Sequence, residues 1–186
     1  MVPRLLPAAR ASSRDAPLDV TAVHEAHADF VWASMQRLGV RDADLEDAMQ
    51  EVFVVVHQRL HTFDGSSKMT TWLFGISLRV AAAFRRRAHV RRERPVAEVP
   101  DGPSSDASPE DAARSRESRA QLEAILDELD LEKRAVFVMF EIEEIPCDEI
   151  ASILGVPVGT VYSRLAAARK SFQAALRRFQ ARGGRT

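Results

Sequence analysis

Residues 93–116 read ERPVAEVPDGPSSDASPEDAARSR, with Pro95, Pro100, Pro103 and Pro109, repeated serines and no apolar residue recurring at helical or strand spacing. Proline lacks the backbone N–H and pushes the preceding residue away from helical torsion angles, so this segment cannot continue one regular element. It reads as a linker. The chain must then bury its apolar surface in two bodies, expected at about 18–92 and 117–182, with a short tail at 183–186. At the start, MVPRLLPAARASSRDAP has an apolar patch broken by Pro3 and Pro7, unlike the continuous apolar region of a signal peptide. Residues 1–17 therefore read as a disordered cytoplasmic extension.

Both bodies are rich in Ala, Leu, Glu and Arg, and their apolar residues fall three and four apart, with no alternating strand pattern. The expected fold is all-α: two small helical domains on a flexible tether. In the first, Asp44 is placed to cap a helix, with Asp47 three residues on. Leu45, Ala48, Met49, Val52, Val56 and Leu60 form its buried stripe, and Glu46, Asp47, Gln50 and Glu51 face outward. After the turn HTFDGSSK, a second helix starts near Thr70 with Trp72, Leu73, Ile76 and Val80 inward. Trp72 shares that stripe and is read as core rather than as a stacking platform.

The second body ends in DEIASILGVPVGTVYSRLAAARKSF, residues 148–172. Pro146 can open a helix because its missing N–H would have no partner there. Ile150, Ala151, Ile153 and Leu154 supply an apolar face, Gly155 suits the left-handed position after a helix end, and Val156-Pro157 makes a corner. A longer helix follows, burying Val161, Leu165, Ala168, Phe172 and Leu176. A short helix, a glycine turn and a longer helix make a helix-turn-helix. Thr160, Tyr162, Ser163, Arg164, Arg169 and Lys170 point outward, all able to donate hydrogen bonds to phosphates or base edges.

Net charge is only −1, yet charge is strongly segregated. Residues 41–51 carry −4 and 79–94 carry +6, while 121–149 carry −8 and 164–186 carry +7. Arginines near a helix C-terminus are favoured by the backbone dipole, which accounts for one or two among Arg85, Arg86 and Arg87 but not for the whole basic block. An acidic-then-basic order, repeated, points to two modules that each meet a polyanion on one side and a different partner on the other.

Other chemistry is thinly represented. A single cysteine, Cys147, excludes an internal disulfide and a cysteine-based zinc site. His57 and His61 lie four apart, as do two metal ligands on one helix face, but no third ligand accompanies them. The longest apolar run, AVFVMF at 135–140, is far below the roughly 20 residues of a membrane helix. Phosphate-cradling glycine loops, nucleophile elbows and paired catalytic carboxylates do not occur, so the expectation is a non-enzyme without metal, cofactor or small-molecule substrate.

EDAMQEVFVVVHQRLHTFDGSSKMTTWLFGISLRVAAAFRRR and LDLEKRAVFVMFEIEEIPCDEIASILGVPVGTVYSRLAAARKSF, in that order around a proline-rich linker, resemble regions 2 and 4 of bacterial sigma-70 family sigma factors. The two-domain layout is similar to the extracytoplasmic function (ECF) subfamily. The resemblance implies that Asp47, Gln50 and Glu51 contact the clamp helices of the largest subunit of core RNA polymerase. It implies that Phe63, Ser66, Ser67 and Lys68, with Arg79, Arg85, Arg86 and Arg87, read and melt the −10 promoter element. It further implies that Thr160, Tyr162, Ser163, Arg164, Arg169 and Lys170 serve the −35 element, with the acidic half of region 4 facing the polymerase flap. An anti-sigma factor is among the implied partners. Gly75 and Arg79 depart from the residues usual in region 2, and Tyr162, Ala166 and Ala167 depart from those of the recognition helix. The alternative reading of the residues is a free-standing helix-turn-helix regulator.

Overall fold

The computed structural model describes residues 19–92 and 109–183, and every regular element among them is helical. The expected extension at 1–17, most of the linker and the final three residues lie outside the described residues. The first bundle comprises α1 (Val20–Arg37), α2 (Leu45–Arg59) and α3 (Met69–Arg92), each packed on the other two. Leu45, Ala48, Val52, Val56 and Leu60 of α2 are buried, as helical spacing requires, together with Val31 and Met35 of α1 and Leu73, Phe74, Ile76 and Val80 of α3.

Asp44 departs from expectation. Its carboxylate does not cap α2; it accepts from Arg41 Nε at 2.9 Å and Nη2 at 2.7 Å. The physical reason is backbone conformation. Asp44 closes a short 3₁₀ turn, Asp42–Asp44, and sits at φ −108°, ψ −1° instead of the extended region from which a side chain reaches the first free N–H groups.

The second bundle comprises α4 (Pro109–Leu126), α5 (Leu131–Phe137) continued by a wide π turn (Val138–Ile142), α6 (Cys147–Leu154) and α7 (Val158–Gly183). α4 begins inside the segment read as linker. Pro109 is the last of the four prolines, and at the first helical position its missing N–H is harmless. Asp130 caps α5, its carboxylate accepting from the Lys133 N–H at 2.9 Å. Gly155 ends α6 at φ +64°, the left-handed conformation that glycine enters without a Cβ clash. Val161, Leu165, Ala168 and Ala175 of α7 are buried, and Phe172 stacks on Phe137 with ring centroids 4.6 Å apart. α6 and α7 meet at 104°, within the range of a helix-turn-helix corner. No single described helix is long and apolar enough to cross a membrane.

The bundles also touch each other. α6 packs on α3 and α4 on α1. Arg37 Nη1 pairs with Glu143 Oε1 at 2.6 Å. Deeper in the seam, Arg134 of α5 is 1% exposed and donates to the carbonyls of Arg37 and Gln36 at the end of α1, while its Nη1 pairs with Asp127. Burial pulls the Arg134 guanidinium below its ordinary value, and Asp127 opposes that shift.

Two stability predictions follow from local structure. Asp130→Ala removes the α5 cap and is expected to lower unfolding free energy by about 1 kcal/mol in urea titrations. The Lys133 side chain, then its backbone N–H, holds the Asp130 carboxyl below its ordinary 3.8. That contribution is full above the ordinary value and is lost as pH falls through the lower folded one, so the wild-type advantage over Asp130→Ala should shrink only in strong acid. Ser77, wholly buried in α3, has a hydroxyl with no hydrogen-bond partner among the described residues. Ser77→Ala should therefore raise stability, by about 1 kcal/mol, through relief of desolvation and better helix propensity; a loss of stability would refute the unpaired hydroxyl.

Candidate nucleic-acid interface

Three surfaces carry the expected site residues. On α2, Asp47 and Gln50 are exposed, and Glu51 turns toward α3, where its carboxylate lies 3.4 Å from Arg87 Nη1. Beside these polar groups runs an apolar groove of about 650 Å³, lined by Trp32, Met49, Phe53 and Val54 among others. Val54 is 54% exposed, and the Phe53 ring is held against His24 at 4.4 Å. Sequence reasoning missed this groove. The signal was present in VFVVVH at 52–57: a helix cannot bury five consecutive apolar residues on one face, so at least one must look outward.

The second surface joins the loop after α2 to α3. Gly65 adopts φ +74°, and the Ser66 N–H donates to Asp64 Oδ1 at 2.9 Å, fixing a tight turn. The Ser66 hydroxyl and amide hold the Asp64 carboxyl below its ordinary range. Ser66 and Lys68 are exposed and Ser67 is half-buried. Phe63 and Trp72 are both half-buried, with ring centroids 5.5 Å apart. Trp72 is thus not fully core: its indole lines a groove together with Arg59, Ser66, Thr71 and Arg79. Arg59 was not singled out from the sequence, because it ends a different helix from Arg79.

The arginines of α3 do not act as one patch. Arg79 and Arg86 are seven residues apart, two helical turns, and both are exposed on the same side. Arg87 turns toward Glu51 and covers the Phe84 ring with its guanidinium carbon 4.9 Å from the centroid. Arg85 turns inward to the bundle seam, with Nη1 at 3.4 Å from the Leu38 carbonyl and 3.3 Å from the Gly39 carbonyl. At Gly39 the chain runs at φ +81°, and a Cβ there would overlap Arg85 and approach Arg134 Nη1 to 2.8 Å. Glycine is needed for both reasons.

On α7 the buried stripe leaves Tyr162, Ser163, Ala166 and Lys170 exposed on the opposite side. Ser163 Oγ donates to the Thr160 carbonyl at 2.9 Å, and Thr160 is half-buried. Arg164 and Arg169 occupy the two margins of that face. Arg164 pairs with Glu132 at 2.7 Å, and Arg169 pairs with Glu141 at 2.6 Å above the Phe140 ring. Pairs this exposed are worth about 0–1 kcal/mol, so either arginine can exchange its carboxylate for a phosphate at little cost. Among the described residues no three His, Cys, Asp or Glu side chains converge as metal ligands.

Comparison with known proteins matches this geography. The profile of Sigma-70 region 2 matches residues 23–91, and that of Sigma-70 region 4 matches residues 119–172. The ECF RNA polymerase sigma factor SigE of Mycolicibacterium smegmatis is 32% identical over 148 residues, 79% of this chain but 57% of that protein. The ECF RNA polymerase sigma-E factor of Escherichia coli is 29% identical over 157 residues, covering 75% of this chain and 77% of the relative. Among solved structures, the sigma factor RpoE in complex with the anti-sigma factor NepR from Bartonella quintana shares the fold at a TM-score of 0.64 and 19% identity, over 84% of this chain and 96% of that one. CnrH in complex with the cytosolic domain of CnrY does so at 0.61 and 23%, over 84% and 86%. With regions 2 and 4 matched in order, one in each helical bundle, the chain belongs to the sigma-70 family of RNA polymerase sigma factors, in its extracytoplasmic function branch.

Proposed function

We propose that the chain binds core RNA polymerase, directs it to specific promoters and helps to melt the −10 region. The observation that carries this reading is the presence of two DNA-competent faces, one per bundle, each backed by an acidic or apolar face suited to a protein partner. On α2 the acids Asp47 and Glu51, with Gln50, flank the apolar groove at Phe53 and Val54, and this combination suits the polymerase clamp helices. The loop Phe63–Lys68 and the Arg79 and Arg86 side of α3 suit a separated DNA strand: a cationic track beside half-buried aromatic rings accepts phosphates and stacked bases alike. The exposed side of α7 suits the major groove of the −35 element, with Tyr162, Ser163 and Lys170 central and Arg164 and Arg169 on the phosphates at its margins.

In this reading the chain works in the cytoplasm, makes and breaks no covalent bond itself, and needs no cofactor, the polymerase supplying the chemistry. An inhibitory anti-sigma partner fits the same surfaces. Arg85 and Arg87 take secondary roles, because one faces the seam and the other is engaged by Glu51. A free-standing helix-turn-helix regulator would instead use its N-terminal bundle to dimerise or to sense a signal.

Purified chain added to core polymerase should confer promoter-selective initiation in run-off transcription; a chain that only blocks or recruits the polymerase would favour the free-standing regulator. Val54→Asp, which places a charge in the apolar groove, should weaken association with core polymerase by about tenfold or more. Lys170→Ala should weaken duplex binding evenly across sequences and reduce the log–log salt slope by about one, as expected for one lost phosphate contact. A sequence-dependent loss would instead make Lys170 a base reader.

A further inference from the structure

The two arginines at the margins of α7 are held by their carboxylates in different ways. A guanidinium offers two bidentate edges, Nε with Nη2 along its side and Nη1 with Nη2 at its tip. Arg169 donates from Nε to Glu141 Oε1 at 2.6 Å, and no other hydrogen bond engages it among the described residues. Its tip is left whole. Arg164 meets Glu132 Oε2 at 2.7 Å through Nη2, the nitrogen common to both edges, so neither edge remains whole there. The surroundings differ as well. The Arg169 guanidinium carbon lies 5.3 Å from the centroid of the Phe140 ring, and Glu141 is 33% exposed, whereas Glu132 is 70% exposed. Phe140 and Glu141 are neighbours in the wide turn Val138–Ile142, which the Glu143 N–H closes on the Val138 carbonyl at 3.0 Å. Such a turn advances less per residue than an α-helix and draws consecutive side chains toward one side. One ring and one carboxylate thereby reach the same arginine.

We propose that Glu141 is a positioning residue for DNA binding: it fixes Arg169 by the side of its guanidinium and leaves the tip to a phosphate, while Glu132 competes with phosphate for Arg164. These roles rest on the reading of α7 given above, in which its exposed side meets duplex DNA. An unrestrained arginine samples many rotamers and loses them when a phosphate captures it. Arg169, bonded at Nε and seated on Phe140, is already ordered, so its capture costs less. Glu141 also repels the phosphate, but the two effects act through different properties of the side chain. Repulsion needs the charge; positioning needs only an acceptor oxygen. At Glu132 the charge alone matters, because Arg164 must leave that carboxylate before a phosphate can take either edge. The two acids therefore oppose each other in their effect on one DNA-binding face.

The test uses the full chain and the fluorescence anisotropy of a short fluorescein-labelled, mixed-sequence DNA duplex over a range of salt concentrations. Glu141→Gln and Glu141→Ala remove the same charge, but only the glutamine keeps an oxygen for Arg169 Nε. The alanine variant should bind about fivefold more weakly than the glutamine variant, with a log–log salt slope shallower by up to about one. That difference should vanish when Arg169→Ala is added. Glu132→Gln and Glu132→Ala should both bind about threefold more tightly than the parent chain, and most of the gain should disappear with Arg164→Ala. Matching thermal unfolding curves establish that each variant stays folded. Equal affinity of the two Glu141 variants overturns the positioning. Unchanged or weaker binding by the Glu132 variants overturns the competition. If neither Arg164→Ala nor Arg169→Ala weakens binding, the reading of α7 as the duplex-facing helix fails together with both roles, a result distinct from equal glutamine and alanine variants.

Discussion

Arg134 is a guanidinium almost wholly removed from water, and the carboxylate it pairs with, Asp127, is itself 66% exposed. A buried charge paired with a solvated carboxylate would be strongly destabilising if its remaining donors were unmet. They are met by the last carbonyls of α1, which carry the negative end of that helix's dipole, the Gln36 carbonyl also accepting from the Gly39 N–H at 2.8 Å. The arrangement solves two problems with one side chain. It also ties the end of the first bundle to the start of the helix-turn-helix bundle. Gly39 is the corollary, since any side chain there would occupy the space that Arg85 and Arg134 fill.

The same economy governs the surface. Acidic and basic blocks that nearly cancel in net charge are placed on different faces of small bundles, and the few links between them are exposed or weak. Glu51 with Arg87, Glu132 with Arg164 and Glu141 with Arg169 are surface pairs, each contributing little to stability. Their value is different. A basic side chain held in place by a loosely bound carboxylate is already ordered where a phosphate will arrive, so less rotamer freedom is lost on binding.

Helices and their buried stripes were legible in the sequence because period and burial are the same fact seen twice. Leu45 to Leu60 and Val161 to Ala168 follow it closely. The corner at Gly155 was legible because only one conformation suits that residue there. What sequence could not convey was direction within a run. Arg85, Arg86 and Arg87 are adjacent in the chain but point to the seam, to solvent and to α2, because helical geometry turns about 100° per residue. Asp44 was misread for a related reason: capping depends on the backbone torsion of the capping residue, which composition does not encode. Contacts between bundles, such as those of Arg134 and Arg37, join residues whose local patterns carry no sign of each other.

A seam of this size would be trivial between separate molecules. Here the two bundles share one chain, which holds them at a mutual concentration in about the millimolar range. A contact with an intrinsic dissociation constant somewhat below that range is enough to keep most molecules closed. The same contact is easily reversed. A partner engaging one bundle with a micromolar constant supplies about 8 kcal/mol, several times what such a seam can oppose. Opening then also returns Arg134 to water, so the desolvation that made the seam specific is recovered as it breaks. Weak closure and ready opening are therefore consequences of the same chemistry, a charge buried just deeply enough to choose its partner.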